Sequence, residues 1–234
     1  MELYTGTSGF AYKEWKGSFY PEKIKNADML PFYASHFKAC EINNTFYRMP
    51  AEKTLLEWRE QVPPEFRFIL KASQQITHFK RLKEEAREPL QYFAEKAGVL
   101  GEQLGPVLIQ LPPNMKCDVG RLEAFLDFMP VNLKPAFEFR HASWFDDVVF
   151  DVLRAKQACL CVADTDDEST PRVATVSDWG YLRLRRVEYA SEDLASYAAW
   201  VREQSWKEVF VFFKHEDAGT GPRLAKQFAE IMKL

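Results

Sequence analysis

PVLIQLPPNMKCDVGRLEAFLDFMPVNLKPAFEFR, residues 106–140, is the stretch that decides the fold. It opens with a short apolar run that Pro112-Pro113 stops, because proline cannot continue a ladder of backbone hydrogen bonds. Leu122, Phe125, Leu126 and Met129 then recur three or four apart, the spacing of one helix face. The stretch ends on Ala136-Phe137-Glu138-Phe139-Arg140, which alternates polar and apolar. Strand, amphipathic helix and strand in succession form a βαβ unit with parallel strands.

Outward from that unit the alternation repeats. The patterning predicts strands over 3–6, 39–43, 67–72, 106–111, 136–140, 158–164, 181–185 and 209–214. Between them it predicts helices over 28–37, 53–61, 88–104, 120–128, 145–156, 194–204 and 224–233. The sixth connection, 165–179, is rich in Asp, Ser, Thr and Pro and reads as a loop, with a short extra strand at 172–176. Eight strands interleaved with seven helices predict an α/β fold, one (β/α)8 barrel of TIM type whose sixth helix is short or missing. One domain over 1–234 is the expectation. An open doubly wound sheet would more often carry a Gly-rich phosphate turn after its first strand. Gly6-Thr7-Ser8-Gly9 fits neither GxGxxG nor a P-loop.

Composition narrows the class. The 234 residues carry 31 Lys+Arg against 34 Asp+Glu, a formal charge of −3, with 47% apolar and 15% aromatic residues. That argues against disorder and against a general nucleic-acid or membrane-surface binder. No apolar run approaches the roughly 20 residues of a membrane span. Cys40, Cys117, Cys159 and Cys161 form no CxxC pair, and Met1 leads straight into a strand. The expectation is reduced thiols in a cytoplasmic protein.

Strand parity gathers polar side chains on shared faces near the strand ends. Glu41 shares a face with Asn43, Lys71 with Ile69, Gln110 with Leu108, Glu138 with Arg140, and Arg183 with Arg185. Asp164 follows Leu160 and Val162 on one face, and Lys214 ends the eighth strand on the face of Phe210 and Phe212. Barrel active sites are built at the C-terminal ends of the strands. A ligand site and a satisfied salt-bridge plug both fit such a set. Glu41 and Glu138 are the candidate catalytic pair, since two carboxylates in one cleft push their pKa values apart. The bland reading makes both fixed anions holding Arg140 and Lys71.

Lys71, Arg140, Arg183, Arg185 and Lys214 suggest an anionic ligand, which Arg grips with a bidentate fork. Gly219-Thr220-Gly221-Pro222, with Pro222 suited to a first helical position, offers amides to an anion or is a plain helix start. His78, His141 and His215, with Glu41, Glu138, Asp164 and Glu216, could ligate a divalent metal. Their spacing is not of the HExxH kind, and hydrogen-bonding histidines fit as well. Hence no cofactor is expected, with a divalent metal left open. Phe10, Tyr12, Trp15, Phe19, Tyr20, Phe46, Tyr47, Trp144 and Phe145 cluster after the first, second and fifth strands, to stack on sugar rings or bases or to pack the loops.

Several motifs together resemble the YecE-like family, domain of unknown function 72. They are GTSGF at 6–10, EINNTFYR at 41–48, KAS and ITH within 71–78, GPVLIQLPP at 105–113, EFRHASW at 138–144, Asp164, and YLRLRR at 181–186. The resemblance implies a TIM-type barrel of bacterial or archaeal distribution and brings no activity with it. It implies signature residues at Glu41, Asn43, Tyr47, Lys71, His78, Gln110, Glu138, Arg140, His141, Trp144 and Asp164. The sequence departs from the family pattern at Phe10 and Asn44 and at the ends of the last two strands. The fold is also similar, by analogy, to metal-using barrels of the endonuclease IV and xylose isomerase type.

The expected function is a hydrolase or isomerase acting on a small anionic sugar- or nucleotide-like ligand by carboxylate acid/base chemistry. Glu41 and Glu138 would be catalytic; Asn43, Tyr47, Lys71, His78, Gln110, Arg140, His141, Trp144, Asp164 and Arg183 would bind the ligand. The alternatives are a non-catalytic barrel for a ligand or nucleic-acid end, and a metal-dependent phosphodiester hydrolase. No membrane partner is expected, and the oligomeric state stays open.

Overall fold

The computed structural model describes residues 1–214 and 219–233. His215 and Glu216, two of the metal-ligand candidates, lie outside the described residues. The strands are β1 Glu2–Thr7, β2 Ala39–Ile42, β3 Arg67–Lys71, β4 Leu104–Gln110, β5 Pro135–Glu138, β6 Cys159–Asp164, β7 Trp179–Leu184 and β8 Glu208–Phe213. They pair in parallel in the order β1-β8-β7-β6-β5-β4-β3-β2. The helices are α1 Met29–Ala34, α2 Glu52–Glu60, α3 Arg87–Gly98, α4 Val119–Asp127, α5 Asp147–Ala155, α6 Ser191–Arg202 and α7 Thr220–Lys233. Each follows a strand and covers it, except after β6. This is a (β/α)8 barrel whose sixth connection has no helix among the described residues.

The ring closes between β1 and β2. Near the mouth the Gly9 amide donates to Glu41 O at 2.8 Å, beside a bridge between Ser8 and Glu41. Lower down, the Tyr33 hydroxyl from α1 is spliced into the seam. It accepts from the Thr7 amide at 2.7 Å and donates toward Ala39 O at 3.1 Å. Gly6 makes the splice possible, because a Cβ there would stand 2.0 Å from Ala39 O and 2.7 Å from the Tyr33 hydroxyl oxygen. One phenol thus satisfies two backbone groups that a direct ladder would have paired.

Side-chain parity sorts the wall into two layers. Outward residues such as Phe68, Leu70, Ile109, Phe137, Leu160, Val162 and Val211 join the core beneath the helices. Inward residues fill the lumen: Tyr4, Trp179 and Phe210 at the bottom, with Tyr4 stacked on Phe210 at 4.7 Å. Ala39, Ile69, Leu108, Ala136 and Cys161 also line the lumen. Glu41, Lys71, Gln110, Glu138 and Arg183 lie toward its upper end. The lumen is apolar below and ionised above, as the alternation in the sequence implies.

Three expectations change in detail. The helix predicted over 88–104 ends at Gly98, and a short turn at Gly101–Gln103 leads into β4. The extra strand expected at 172–176 is not one. Thr175 instead ties the segment to β6 through its hydroxyl, which accepts from Leu160 N and donates to Ala158 O, both at 2.8 Å. The last helix starts at Thr220, so Pro222 sits inside its first turn rather than at its first position. No helix of the described residues is long and apolar enough to cross a membrane.

Candidate active site

The site is a layer of charge at the C-terminal ends of the strands. At its centre lies Arg183 of β7, fully buried. Its Nε and Nη2 donate to the two oxygens of Glu41 at 2.8 and 2.7 Å, and its Nη1 donates to Glu138. Glu41 also accepts from Tyr181 at 2.6 Å, Ser8 at 2.7 Å and Asn43 at 3.1 Å. Its lone pairs are fully engaged. Glu138 collects two further arginines on one oxygen, Arg185 Nη2 at 2.8 Å and Arg140 Nε at 2.7 Å.

This geometry decides the titration behaviour. Burial would raise both carboxyls, but the guanidinium groups outweigh it. Arg183, with the hydrogen bonds from Arg183, Tyr181 and Ser8, holds Glu41 below its usual 4.5. Arg183, Arg185 and Arg140 hold Glu138 at about 2. The two carboxyls are therefore both depressed rather than split apart, because a cation lies between them. Lys71 moves the other way from an ordinary lysine: burial first, then the nearby Arg183, brings it down to about 8. Its Nζ donates to Gln110 Oε1 at 2.8 Å and lies over the Phe46 ring at 4.2 Å.

The structure brings Glu41, Asn43, Lys71, Gln110, Glu138, Arg140 and Arg183 to this layer. His78 stands at its edge in a π-helical turn, Gln75–Phe79, with Nδ1 2.9 Å from the Thr77 hydroxyl and its ring edge-on to Phe46 at 4.8 Å. Burial, then Lys71 and Arg81, lower its pKa below 6.5. His141 caps the short turn Ala142–Trp144, with Nδ1 2.8 Å from the Ser143 hydroxyl. Tyr47 is 73% exposed on a loop, packed edge-on against Phe46.

Two candidates lie elsewhere. Asp164 is on the outward side of β6 with Leu160 and Val162, where Arg186 Nε reaches it at 2.9 Å and the Tyr189 hydroxyl donates to it at 3.1 Å. Being at a strand end did not make it a lumen residue; its parity places it under the helices. Trp144 is completely buried, stacked on Phe139 at 4.7 Å, with its indole donating to Met115 O at 2.7 Å. It packs the loops, as do Trp15 and Tyr20. Lys214 is exposed. Arg185 joins the network as its shared face with Arg183 implies, and Tyr181 and Ser8 belong to it although parity alone gave them no role. The signal for Tyr181 was there, since it shares a face with Arg183. Among the described residues, no group of three or more His, Cys, Asp or Glu is arranged to hold a metal ion.

The family described as Protein of unknown function DUF72 matches residues 4–234. The chain belongs to that family. This DUF72 chain is 25% identical to UPF0759 protein YunF of Bacillus subtilis (strain 168), over 99% of its own length and 95% of the relative's. It is 32% identical to UPF0759 protein YecE of Escherichia coli (strain K12) over 48% of this chain and 42% of that one. Among solved structures, it is similar to a DUF72 family protein from Thermotoga maritima MSB8, with a TM-score of 0.87 and 28% identity, all of both chains being covered. A DUF72 family protein from Enterococcus faecalis V583 shares the fold at a TM-score of 0.83 and 21% identity, over 99% of this chain and 96% of that one.

Proposed function

We propose that this DUF72 chain is an enzyme, a hydrolase or isomerase, acting on a small anionic sugar- or nucleotide-like ligand at the barrel mouth. One observation carries the reading. Among the described residues, Glu41 and Glu138 are the carboxylates paired with Arg140, Arg183 and Arg185 and the ones that act on Lys71, so four cations meet two carboxylates in a protein of net charge −3. An anion completes that balance, and guanidinium forks suit carboxylate or phosphate oxygens.

The chemistry is assigned by what can exchange a proton near neutral pH. Carboxylates held below their usual range are weak bases, so Glu41 and Glu138 act as fixed anions that align the arginines. Lys71, brought to about 8, is the proton carrier, with His78 beside it as the second titrating group. Asn43, Gln110 and His141 orient the ligand. The test is a panel of sugar phosphates, sugar acids and nucleotides followed by proton and phosphorus NMR. We expect one class to be converted, and Lys71→Met to slow it by about 10²-fold or more while the chain still melts cooperatively. A chain that binds such ligands and converts none is a binding module, and that result contradicts the reading.

A further inference from the structure

The helix-less connection after β6 builds a second feature beside Glu138. Residues 165–170 turn back over the strand end, where the Thr170 amide donates to Ala163 O at 2.8 Å and Asp164 and Ser169 form an antiparallel bridge. The hollow this leaves has a volume of about 270 Å³. Its lining includes Arg140, Arg185, Phe139, Phe145, Ala163 and Thr170. Two guanidinium groups therefore open onto a small pocket walled on one side by Phe139, Ala142, Phe145 and Ala163 and on the other by Thr165, Ser169, Thr170 and the exposed Glu168, whose carboxylate pairs with neither arginine.

Both arginines spend only part of their donor capacity inside the protein. Each reaches the same oxygen of Glu138. Arg185 Nε is sealed from solvent without a hydrogen-bond partner among the described residues. Arg140 Nε lies 2.7 Å from Glu138, but off the hydrogen-bond axis. Those two Nε donors are closed to a ligand, but Arg185 Nη1 and both terminal nitrogens of Arg140 have no partner on Glu138, and an oxyanion in the pocket would take them. Burial also pulls Arg185 below the ordinary arginine value despite Glu138, which marks a guanidinium short of negative charge.

We propose that this pocket is the anion subsite of the mouth, taking the phosphate or carboxylate head of a small ligand on Arg140 and Arg185. The carbon next to that head lies against Phe139, Phe145 and Ala163. The proposal rests on the mouth being a ligand site and names where the charged end sits, which leaves the rest of the ligand to extend toward Lys71. The volume admits a head group and a few carbons, not a polymer.

Calorimetric titration with inorganic phosphate, and separately with butyrate, tests it at constant ionic strength. We expect at least one probe to bind, and Arg185→Gln to weaken it about tenfold or more, the loss of a charge-assisted hydrogen bond. Ala142→Phe fills the pocket from an exposed position, leaves the Glu138 contacts alone and should weaken binding likewise. Preference for phosphate or butyrate tells which head group the pocket takes. Unchanged affinity in both variants overturns the pocket and leaves the mouth reading intact. No binding of either probe up to about 10 mM, weaker than a small fragment in a built site, also overturns it. If Lys71→Met abolishes no turnover while both pocket variants lose the probe, the catalytic reading fails and the pocket stands.

Discussion

Arg183 and Glu41 meet fork to fork in the barrel lumen, Nε to Oε2 at 2.8 Å and Nη2 to Oε1 at 2.7 Å, with both side chains buried. The third arm of the same guanidinium holds Glu138. One residue thus bridges two carboxylates that would otherwise repel each other across the lumen. Buried pairs of this kind add little net stability but are expensive to break from one side.

Arg183→Met should therefore destabilise the chain by about 3–5 kcal/mol, because it leaves Glu41 a buried anion without its cation while Glu138 keeps Arg140 and Arg185. Urea denaturation at pH 7 measures it. Adding Glu41→Gln to that variant should recover part of the loss, as the unpaired charge is gone. A single variant as stable as the parent would contradict the network.

Acid should undo the same network in a defined window. Glu138 sits at about 2 in the folded chain against an ordinary 4.5, and Glu41 is depressed in the same direction. A carboxyl with a lowered folded-state pKa stabilises above its unfolded value, and that contribution is lost as pH falls through the folded one. Stability should be steady from pH 7 to about 5 and fall between about 4.5 and 2. Glu138→Gln should flatten that slope while lowering the plateau. Denaturant midpoints taken across pH give both.

The seam between β1 and β2 makes a separate expectation. Tyr33→Phe removes the hydroxyl that serves the Thr7 amide and Ala39 O. Two buried backbone groups lose their partner, so about 1–3 kcal/mol should go, with faster hydrogen exchange at the Thr7 amide. Gly6→Ala should be worse, since its Cβ would collide with the carbonyl of Ala39.

Most of the barrel was legible because strand and helix periods differ. The 2-residue alternation in Phe137-Glu138 and Leu182-Arg183 marks lumen against outer wall, and the loss of helical spacing over 165–179 marks the missing helix. Parity also held the answer for Asp164: β6 puts Cys159, Cys161 and Ala163 in the lumen, so Leu160, Val162 and Asp164 must point outward. What the sequence could not yield is contact across the barrel. Nothing in Arg183 or Glu41 says that they meet across a sequence separation of 142, because closure of the ring, not local spacing, brings them together. The splice at Tyr33 was hidden for the same reason. Trp144 misled because an aromatic in a mouth loop reads alike whether it stacks on a ligand or on Phe139.

The central claim is that the mouth carries uncompensated positive charge that an anion fills, with Lys71 as its titrating member. The direct measurement is the NMR titration of Lys71 after reductive methylation with carbon-13 label, with and without inorganic phosphate, chloride matching the ionic strength. The account expects a midpoint near 8 in chloride that rises when phosphate is added, since a bound anion favours the charged amine. A midpoint at the ordinary lysine value of 10.5, or one that phosphate leaves where chloride does, would contradict it.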